Sequence, residues 1–390
     1  SIGPNTGVTS TISGSVSSGA LIKLNGADYV TIDGSNSGGT DRSLTITNSA
    51  TTAPCAIWIA SLGNGAGATN NTVKNCNINT SAATVATAYG ISVSGATIGS
   101  AGGDNDDVTV QNNAMNSSSI GVYANGNAAV SAGGMDNLVV SGNAFSGTTT
   151  LSTMYGVEVA NALNASVREN TFNLTTSASA QPVGISIETN VSASSVTANR
   201  ILAVVTTATG GYGGRGITVG TGTTASAITV ANNFVAGVNG SNYSSFINSS
   251  AMGIGIGVMG NSGTLTTVTG GVNLYHNSVN MAGDYSYATA CVTAGLWVGS
   301  GASALDIRNN IIVNSLNNTN TSGTGSKNYA VYSAAANTAF APISYNDYYV
   351  SGTQGVLGYL TTDQTTLSAF NTAFTGNPAT PAFNVVAAFT

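Results

Sequence analysis

The sequence predicts an all-β fold, a right-handed parallel β-helix of about ten to eleven coils, and three observations lead to it. A phrase of the form aliphatic-x-x-Asn-x-apolar recurs from Asn113 to Asn346 in seven steps over 233 residues. Each step is about 33 residues, which falls in the period range of solenoid repeats. A second phrase, small-aliphatic-x-apolar, lies between neighbouring copies of the first. Glycine is abundant, with 50 residues, whereas charged residues make up only 6% of the chain.

The Asn of the first phrase predicts a ladder of hydrogen-bonded amides. Parallel coils stack about 4.8 Å apart, so equivalent turn residues superpose and each amide can bond to the copies on either side. Such a ladder satisfies polar groups that the turns would otherwise bury without partners. Cys76 occupies the ladder position of an earlier copy, so we expect the column to end or to be interrupted there. The predicted ladder residues are Asn113, Asn143, Asn170, Asn199, Asn233, Asn277, Asn310 and Asn346.

The second phrase predicts a short strand with alternate side chains turned inward. Its copies begin with a small residue, as in Gly90-Ile91-Ser92-Val93. Each coil therefore holds at least two strands joined by turns rich in Gly, Ser, Thr and Asn, which is typical of a parallel β-helix. The copies start at Ala56, Gly90, Gly121, Gly156, Gly184, Gly216, Gly255, Gly295 and Ala330.

A solenoid grows by adding coils, so we predict a single domain over residues 1–390. It comprises an N-terminal segment (1–20), the coils (21–350) and a C-terminal cap and tail (351–390). In the cap, Leu367, Phe370 and Phe374 share one face of a short predicted helix, with Asp363 or a nearby Thr as its N-cap. No such pattern covers the N-terminal coil, which makes residues 1–20 a candidate assembly contact.

Composition restricts the partners and the location of the protein. The net charge is −6 with a pI near 4.4, so no basic stripe is available to neutralise nucleic-acid phosphates. No apolar run approaches the roughly 18 residues that a membrane span requires. The chain begins at Ser1, and with its low charge we expect a processed protein at the cell surface or outside the cell.

Three cysteines cannot all pair with one another. Cys55 and Cys76 are close enough in sequence to form a bridge within one coil. Cys55 precedes a strand, however, and Cys76 holds a ladder position, which favours separate buried thiols. Cys291 has the same sequence context as Cys55.

The chain resembles the repetitive, pectate-lyase-like right-handed β-helix regions of large secreted bacterial surface proteins, especially those of Bacteroidota that carry a C-terminal sorting domain. The resemblance rests on the segments NGADYVTIDG (25–34), NNTVKNC (70–76), RNNII (308–312) and YNDYY (345–349), and covers about residues 21–383. It implies the fold of these regions rather than a reaction.

The resemblance also implies what an enzyme of this class would need: a lyase needs a basic residue to abstract a proton and acidic residues to bind calcium, and a hydrolase needs paired carboxylates on neighbouring coils. Glu158 and Glu188 are the nearest match, since they are expected to point outward from successive copies of the second phrase's strand with a two-residue offset. Simple geometry places them about 8 Å apart, within the roughly 6.5–9.5 Å window of inverting glycosidases. Arg215 begins the next copy and completes a candidate polar patch. The alternative interpretation is solvated surface charge.

Two further polar features are weaker candidates for a functional site. Asp104, Asp106 and Asp107 have the oxygen density of a calcium loop but not the spacing of a known cation motif, so a polar turn is the alternative. His276, the only histidine, lies beside ladder residue Asn277, where we expect a satisfied turn residue rather than a general base. No other cofactor is predicted.

Aromatic residues occur near both ends of the outward column of the second phrase. Trp58, Tyr123, Trp297 and Tyr332 can stack on sugar rings or contact a protein, because aromatic side chains bring area at low entropy cost. Cover by flanking loops is the alternative.

We therefore expect an extracellular structural protein, a subunit of a surface filament or adhesive stalk that assembles head to tail through its unlidded N-terminal coil. A polysaccharide-degrading hydrolase or lyase that uses Glu158 and Glu188 is the first alternative. A non-catalytic glycan-binding module is the second.

Overall fold

The computed structural model describes residues 1–80, 88–149, 154–178, 180–208, 212–241, 253–259, 267–286, 290–322 and 325–374. These residues fold as a parallel β-helix, as predicted. The chain divides into two compact units: an N-terminal unit (Ser1–Thr176 with Asn190–Ser195) and a C-terminal unit (Ser177–Thr189 with Val196–Thr390). The prediction of a single domain stays a prediction.

The strands form three long parallel sheets, which we call the ladder sheet, the Gly sheet and the third sheet. The ladder sheet has in the N-terminal unit β1 (Ser10–Gly14), β4 (Leu44–Asn48), β7 (Cys76–Thr80), β10 (Ala114–Asn116), β14 (Ala144–Thr149) and β18 (Thr171–Thr176). In the C-terminal unit it has β21 (Arg200–Thr206), β25 (Phe234–Ala236), β29 (Ser278–Tyr285), β32 (Ile311–Asn318) and β35 (Asp347–Val350). The two units thus contribute six and five ladder-sheet strands, eleven in all, in agreement with the predicted number of coils.

The Gly sheet contains the second phrase. Its N-terminal strands are β2 (Ala20–Asn25), β5 (Cys55–Ala60), β8 (Tyr89–Ser94), β11 (Ile120–Asn125) and β15 (Met154–Ala160). Its C-terminal strands are β19 (Pro182–Ile187), β23 (Arg215–Val219), β27 (Gly253–Val258), β30 (Val292–Val298), β33 (Lys327–Ser333) and β36 (Gly355–Leu360).

The third sheet is formed by the aliphatic start of the Asn phrase, so that phrase bends between two strands instead of forming one. In the N-terminal unit the strands are β3 (Thr31–Asp33), β6 (Thr72–Lys74), β9 (Thr109–Gln111), β13 (Val139–Ser141) and β17 (Ser166–Arg168). In the C-terminal unit they are β24 (Ile228–Ala231), β28 (Thr269–Tyr275), β31 (Ala302–Arg308) and β34 (Phe340–Ser344), and β20 (Ser195–Thr197) crosses the sequence boundary between the units.

The remaining elements are short. Two small pairs, β12 (Met135–Asp136) with β16 (Ala162–Leu163) and β22 (Tyr212–Gly213) with β26 (Gly240–Ser241), are parallel and antiparallel respectively. Strand β37 (Thr362–Gln364) pairs antiparallel with β36. The helices are α1 (Val130–Gly133), a 3₁₀ turn (Asn337–Ala339) and α2 (Leu367–Ala373).

The Asn ladder is confirmed in each unit. Every ladder Asn is buried and directly precedes a ladder-sheet strand. The amide of Asn143 shows the repeating pattern: its Nδ2 donates to Asn170 Oδ1 at 3.0 Å and to Val110 O at 2.9 Å. Its Oδ1 accepts from the backbone N–H and the Nδ2 of Asn113. All four hydrogen-bonding positions of the buried amide are thereby satisfied.

The ladder stops at Cys76, as expected. The backbone N–H of Cys76 donates to Asn113 Oδ1 at 2.9 Å, but its thiol does not continue the amide column. The ladder positions of the two preceding strands hold Leu44 and Ser10, which pair in register with Cys76 and Leu44 respectively. The first coils of the N-terminal unit therefore lack an amide ladder.

The residue before each ladder Asn has a positive φ. It is Asn112 at 50° in one coil, but Glu169 at 59° and Tyr345 at 57° in others. This left-handed conformation suits Asn and Gly and is strained for larger side chains. The corner from the third sheet to the ladder sheet therefore imposes one backbone geometry on several residue types. His276, at 55°, is such a corner residue, and its backbone N–H donates to Arg308 O at 3.3 Å.

The small first residue of the second phrase has a packing cause. A Cβ on Gly121 would lie 2.6 Å from the carbonyl oxygen of Gly156 and 2.5 Å from the ring of Phe145. The same approach recurs at Gly216, where the carbonyl oxygen of Gly255 would be 2.4 Å away. Glycine thus lets the Gly sheet approach the inward side chains of the ladder sheet.

Candidate functional site

The two candidate carboxylates lie in different units. Glu158 is half-buried in β15, where it pairs in register with Tyr123 of β11. Burial, and after it the charge of Glu158, raises the pKa of Tyr89. Glu188 directly follows β19 in the C-terminal unit, and its Oε1 accepts a hydrogen bond from Ser186 Oγ. The predicted catalytic use of these residues stays a prediction.

Arg215 does not form part of a solvated surface patch. Its side chain is fully buried, and it occupies the register position that holds Val183 in β19 and Ile254 in β27. The interpretation of Arg215 as solvated surface charge is therefore wrong, and its candidacy for a polar patch with Glu158 and Glu188 stays a prediction. Arg215 thus places a buried guanidinium where the neighbouring strands of the Gly sheet have aliphatic side chains.

The acidic loop forms turn hydrogen bonds with neighbouring coils. Asp106 accepts from the backbone N–H of Asp136 at 2.8 Å, and Asp107 accepts from Asn137 Nδ2 at 3.0 Å. Asp104 accepts from the backbone N–H of Gly65. Burial, and then the surrounding carboxylates, raises the pKa of Asp136; burial also raises that of Asp106. These bonds favour the polar-turn interpretation, and within the described ranges no three acidic, His or Cys side chains form a group that could hold a metal ion.

The aromatic column is covered rather than open. Trp58 is 6% exposed, Tyr332 3% and Trp297 0%, while Tyr123 is half-buried. Near the N-terminus the cover comes from the loop after β8, since Ile98 packs on the cluster around Trp58 and Tyr123 donates to Gly99 O at 3.0 Å. These side chains therefore do not form an open row for sugar stacking, and cover by a loop is found at Trp58 and Tyr123.

An aromatic stack forms on the outer face of the Gly sheet in the C-terminal unit. The rings of Trp297 and Tyr332 are parallel with centroids 4.2 Å apart, and those of Tyr332 and Tyr359 are parallel at 4.5 Å. Tyr329 meets the last two rings edge-on. Burial, followed by the neighbouring Tyr359, raises the pKa of Tyr332 to about 12. Tyr359 is the half-buried last ring, and it borders a cavity of about 370 Å³.

Sequence reasoning missed Tyr359. Its strand, Gly355-Val356-Leu357-Gly358-Tyr359-Leu360, places a second glycine where the other copies have an aliphatic residue, so it was not recognised as a copy. The spacing between Tyr332 and Tyr359 in the sequence could have revealed this copy, because the two residues occupy equivalent positions and pair in register.

The N-terminal coil leaves two strand edges open among the described residues. Strand β1 pairs only with β4, and β2 pairs only with β5. The edge of β3 is covered, because Ile2 forms a parallel bridge with Ile32. The predicted boundary differs here, since the first coil already contains β1 within residues 1–20. On β2, Lys23 lies over the ring of Trp58, with Nζ 3.9 Å from the centroid.

The C-terminal end has a cap made of β37 and α2, which we call the C-terminal cap. Thr366 is the N-cap of α2 and accepts from the backbone N–H of Ala369 at 3.2 Å. Phe370 and Phe374 are buried, and the Phe370 ring lies 4.8 Å from that of Tyr348. Asp363 of β37 accepts from Tyr329 Oη at 2.8 Å and pairs with Lys327. The predicted capping helix is confirmed.

The three cysteines are free and buried, as favoured from the sequence. Burial raises the pKa of Cys76 to about 12 and that of Cys55 further. Both thiols are therefore protonated at neutral pH.

None of the helices in the described part of the chain has the length and apolarity needed to cross a membrane. Comparisons of the sequence with protein-family models and with curated proteins, and of the fold with solved structures, found no match.

Proposed function

We propose that this protein is an extracellular structural protein of a bacterial surface, a subunit of a filament or adhesive stalk that assembles end to end through its N-terminal coil. The fold class it represents is that of the pectate-lyase-like β-helix regions of large secreted Bacteroidota surface proteins. One observation carries the proposal, the open edges of β1 and β2.

The side chains behind these edges support it. Ile12, Leu21 and Ile22 are inward residues of the first coil, and each is only half-buried. In the following strands their register partners, such as Ile46 for Ile12 and Ile57 for Ile22, are completely buried. An added coil would remove this apolar surface from water and pair the free backbone groups.

Composition supports the extracellular part of the proposal. With 6% charged residues and free thiols that are all buried, few groups are exposed to proteolysis at basic sites or to oxidation. The Lys, Arg, Asp and Glu residues that do occur include several in turn and cap contacts, such as Asp107 and Asp363.

The test is association at increasing protein concentration, followed by sedimentation velocity and negative-stain electron microscopy. The backbone N–H of Ser10 donates toward β4, so in a regular strand the N–H of Thr11 points to the open edge. Thr11→Pro removes that donor and adds a ring to the edge without breaking a pair with β4, whereas Thr11→Ala keeps the donor. We expect filaments from the wild type and from Thr11→Ala, and monomers from Thr11→Pro. A wild type that remains monomeric at every concentration would contradict the proposal.

A second candidate, glycan binding, is favoured by one observation. The ring of Tyr359 borders a cavity of about 370 Å³, and a half-buried aromatic face beside a cavity can stack on a pyranose. Binding on an oligosaccharide array that Tyr359→Ala removes and Tyr29→Ala retains would support it; Tyr29 is an exposed control.

A further inference from the structure

We infer that the end-to-end contact joins β36 of one copy to β2 of a second copy, and that Lys23 of the second copy inserts between its own Trp58 and Tyr359 of the first. The inference rests on the proposed function, since it names the two surfaces that meet in the same association. It also requires the C-terminal cap to leave the edge of β36.

The aromatic column defines one partner surface. Trp297, Tyr332 and Tyr359 pair in register on successive strands of the Gly sheet and stack face to face, with interplanar angles of 3° and 4°. Tyr359 is the last ring of this column. A further strand added in register beside β36 would place its corresponding side chain about 4.8 Å from Tyr359.

Lys23 is the corresponding side chain at the other end. It pairs in register with Trp58, and Trp58 and Trp297 hold the same position in their phrases, after Ile57 and Leu296 respectively. Its ammonium group already lies over the Trp58 ring at 3.9 Å. Joined strands would give the ammonium a second aromatic face, so that it sits between two rings in a partly dehydrated site.

The ladder sheet has a compatible junction. At each ladder step, the backbone N–H of one Asn donates to the Oδ1 of the next, as Asn310 does to Asn346 at 2.9 Å. Ser10 stands at the ladder position of the first coil, two register steps before Cys76. A coil stacked on Asn346 would therefore bring the Ser10 hydroxyl to the place of the next amide oxygen.

The C-terminal cap covers the edge of β36. It must be displaced before association, so its stability sets the protein concentration at which copies associate. Strand β37 has three residues and covers the edge of β36, with Asp363 opposite Tyr359. Asp363 holds this strand through the ion pair with Lys327, whose side chains are 26% and 34% exposed, and by accepting a hydrogen bond from Tyr329 Oη at 2.8 Å. Helix α2 covers the core with Phe370 and Phe374. The half-buried Ile12, Leu21 and Ile22 of the second copy would take over that cover, so one apolar contact replaces another.

The competing arrangement is a contact between the N-terminal coils of two copies. An antiparallel β2–β2 contact would bring the two Lys23 ammonium groups into the same small region, where like charges repel. The head-to-tail contact instead pairs a cation with an aromatic face. Charge and ring placement therefore favour head to tail.

The test measures the concentration at which half of the full-length chain is associated, by sedimentation velocity. Lys23→Ala should raise this concentration by about tenfold or more, and Lys23→Arg, which keeps the cation, should not. Asp363→Asn weakens the fastening of the cap and should lower the concentration, while Asp284→Asn, away from the cap, should leave it unchanged. If the wild type associates and Lys23→Ala associates equally well, the inference is overturned and the proposed function stands. If neither the wild type nor Asp363→Asn associates, both are overturned.

Cross-linking identifies the strands that meet. Asn25 and Thr361 lie two residues beyond Lys23 and Tyr359, and both are exposed. A mixture of the Asn25→Cys and Thr361→Cys chains should form mixed disulfides on oxidation, because the native thiols are buried. Disulfides formed only between two Asn25→Cys chains would show that two N-terminal coils meet, and would overturn the inference.

Discussion

The two ends of this chain differ in how the edges of their outermost strands are covered. At the N-terminal end, β1 and β2 have one partner each among the described residues, and Ile12, Leu21 and Ile22 remain half-buried. At the C-terminal end, β37 pairs with the edge of β36 and the rings of Phe370 and Phe374 are buried. A repeated coil cannot cover its own end, so the cover must come from non-repetitive sequence, and among the described residues only the C-terminal end has such cover.

The amide ladder differs between the ends in a corresponding way. Near the C-terminus it continues to Asn346, whose Nδ2 donates to Ile307 O at 2.9 Å. Near the N-terminus it stops before Cys76, and Leu44 and Ser10 hold the equivalent positions. The first coils therefore lack the buried amide ladder of the later coils, and we expect them to open first.

The largest expected effect is loss of the cap. Phe370→Ala removes a buried ring packed on Tyr348 and Phe374, and we expect it to lower the free energy of unfolding of the C-terminal unit by about 3–5 kcal/mol. Leu21→Ala at the open end should lower that of the N-terminal unit by only about 1 kcal/mol, because Leu21 is already half-exposed. Urea denaturation measures both, and equal losses would show that the two ends are equally covered.

A smaller effect is expected in the ladder. Asn143→Ala removes two donated bonds and leaves the backbone N–H of Asn113 without its acceptor, so the N-terminal unit should lose about 2–3 kcal/mol. Asn173→Ala, on the exposed face of the same sheet, is the matched control and should change stability by less than about 0.5 kcal/mol. Similar losses for both variants would mean that the ladder does not stabilise the fold.

Thiol labelling compares the ends directly. Cys55 and Cys76 lie near the open end, and Cys291 lies in the C-terminal unit. All three are buried, so a thiol reagent reaches them only through local opening. We expect Cys55 and Cys76 to be labelled about tenfold faster than Cys291, as measured by mass spectrometry of quenched samples. Uniform labelling rates would indicate that the open end is no more labile than the rest.

The smallest effects are those of pH on single carboxyls in the N-terminal unit. Burial raises the pKa of Asp33, but its hydrogen bonds with Asn75, Ser35 and Lys74 outweigh this, so the pKa lies below 3.8. Its contribution is therefore present above pH 3.8 and lost as the pH falls through the folded pKa. Asp136 has a raised pKa, so it favours folding below pH 3.8 and loses that contribution as the pH rises through its folded pKa.

Asn substitutions at the two carboxyls test these opposite signs. Asp33→Asn should lower stability at pH 7 and have little effect at pH 3, whereas Asp136→Asn should raise stability at pH 7. Each change should be under about 1 kcal/mol, because both groups are partly solvated. Thermal denaturation at the two pH values measures them, and changes of the same sign at pH 7 would refute the assignment.

Much of the coil was predictable because its chemistry repeats. The Asn phrase located the ladder, and the small residue of the second phrase marked the Gly sheet, where a Cβ on Gly121 would meet the carbonyl of Gly156. Two residues that the repeated phrases do not describe, Tyr359 and Arg215, were missed or misplaced. Tyr359 lies in a strand with an extra glycine, and Arg215 replaces an aliphatic residue in a buried position.

The backbone corners show a further limit of the phrase. Glu169 and Tyr345 adopt the left-handed conformation that the sequence would assign to Asn or Gly. Stacked coils fix that corner, and the cost at one residue is outweighed by the hydrogen bonds that the ladder gains.

The sequence by itself determined the period, the ladder residues and the inward faces, because each follows from residue types that recur at the same place in every coil. The tertiary structure alone decided which outward residues are covered, as with Trp58 beneath Ile98 or Trp297 beside Tyr332. Inward positions are determined by the stacking of equivalent residues in successive coils, which gives a periodic pattern in the sequence. Outward positions depend on loops and caps that occur once, so no periodic pattern in the sequence predicts their cover.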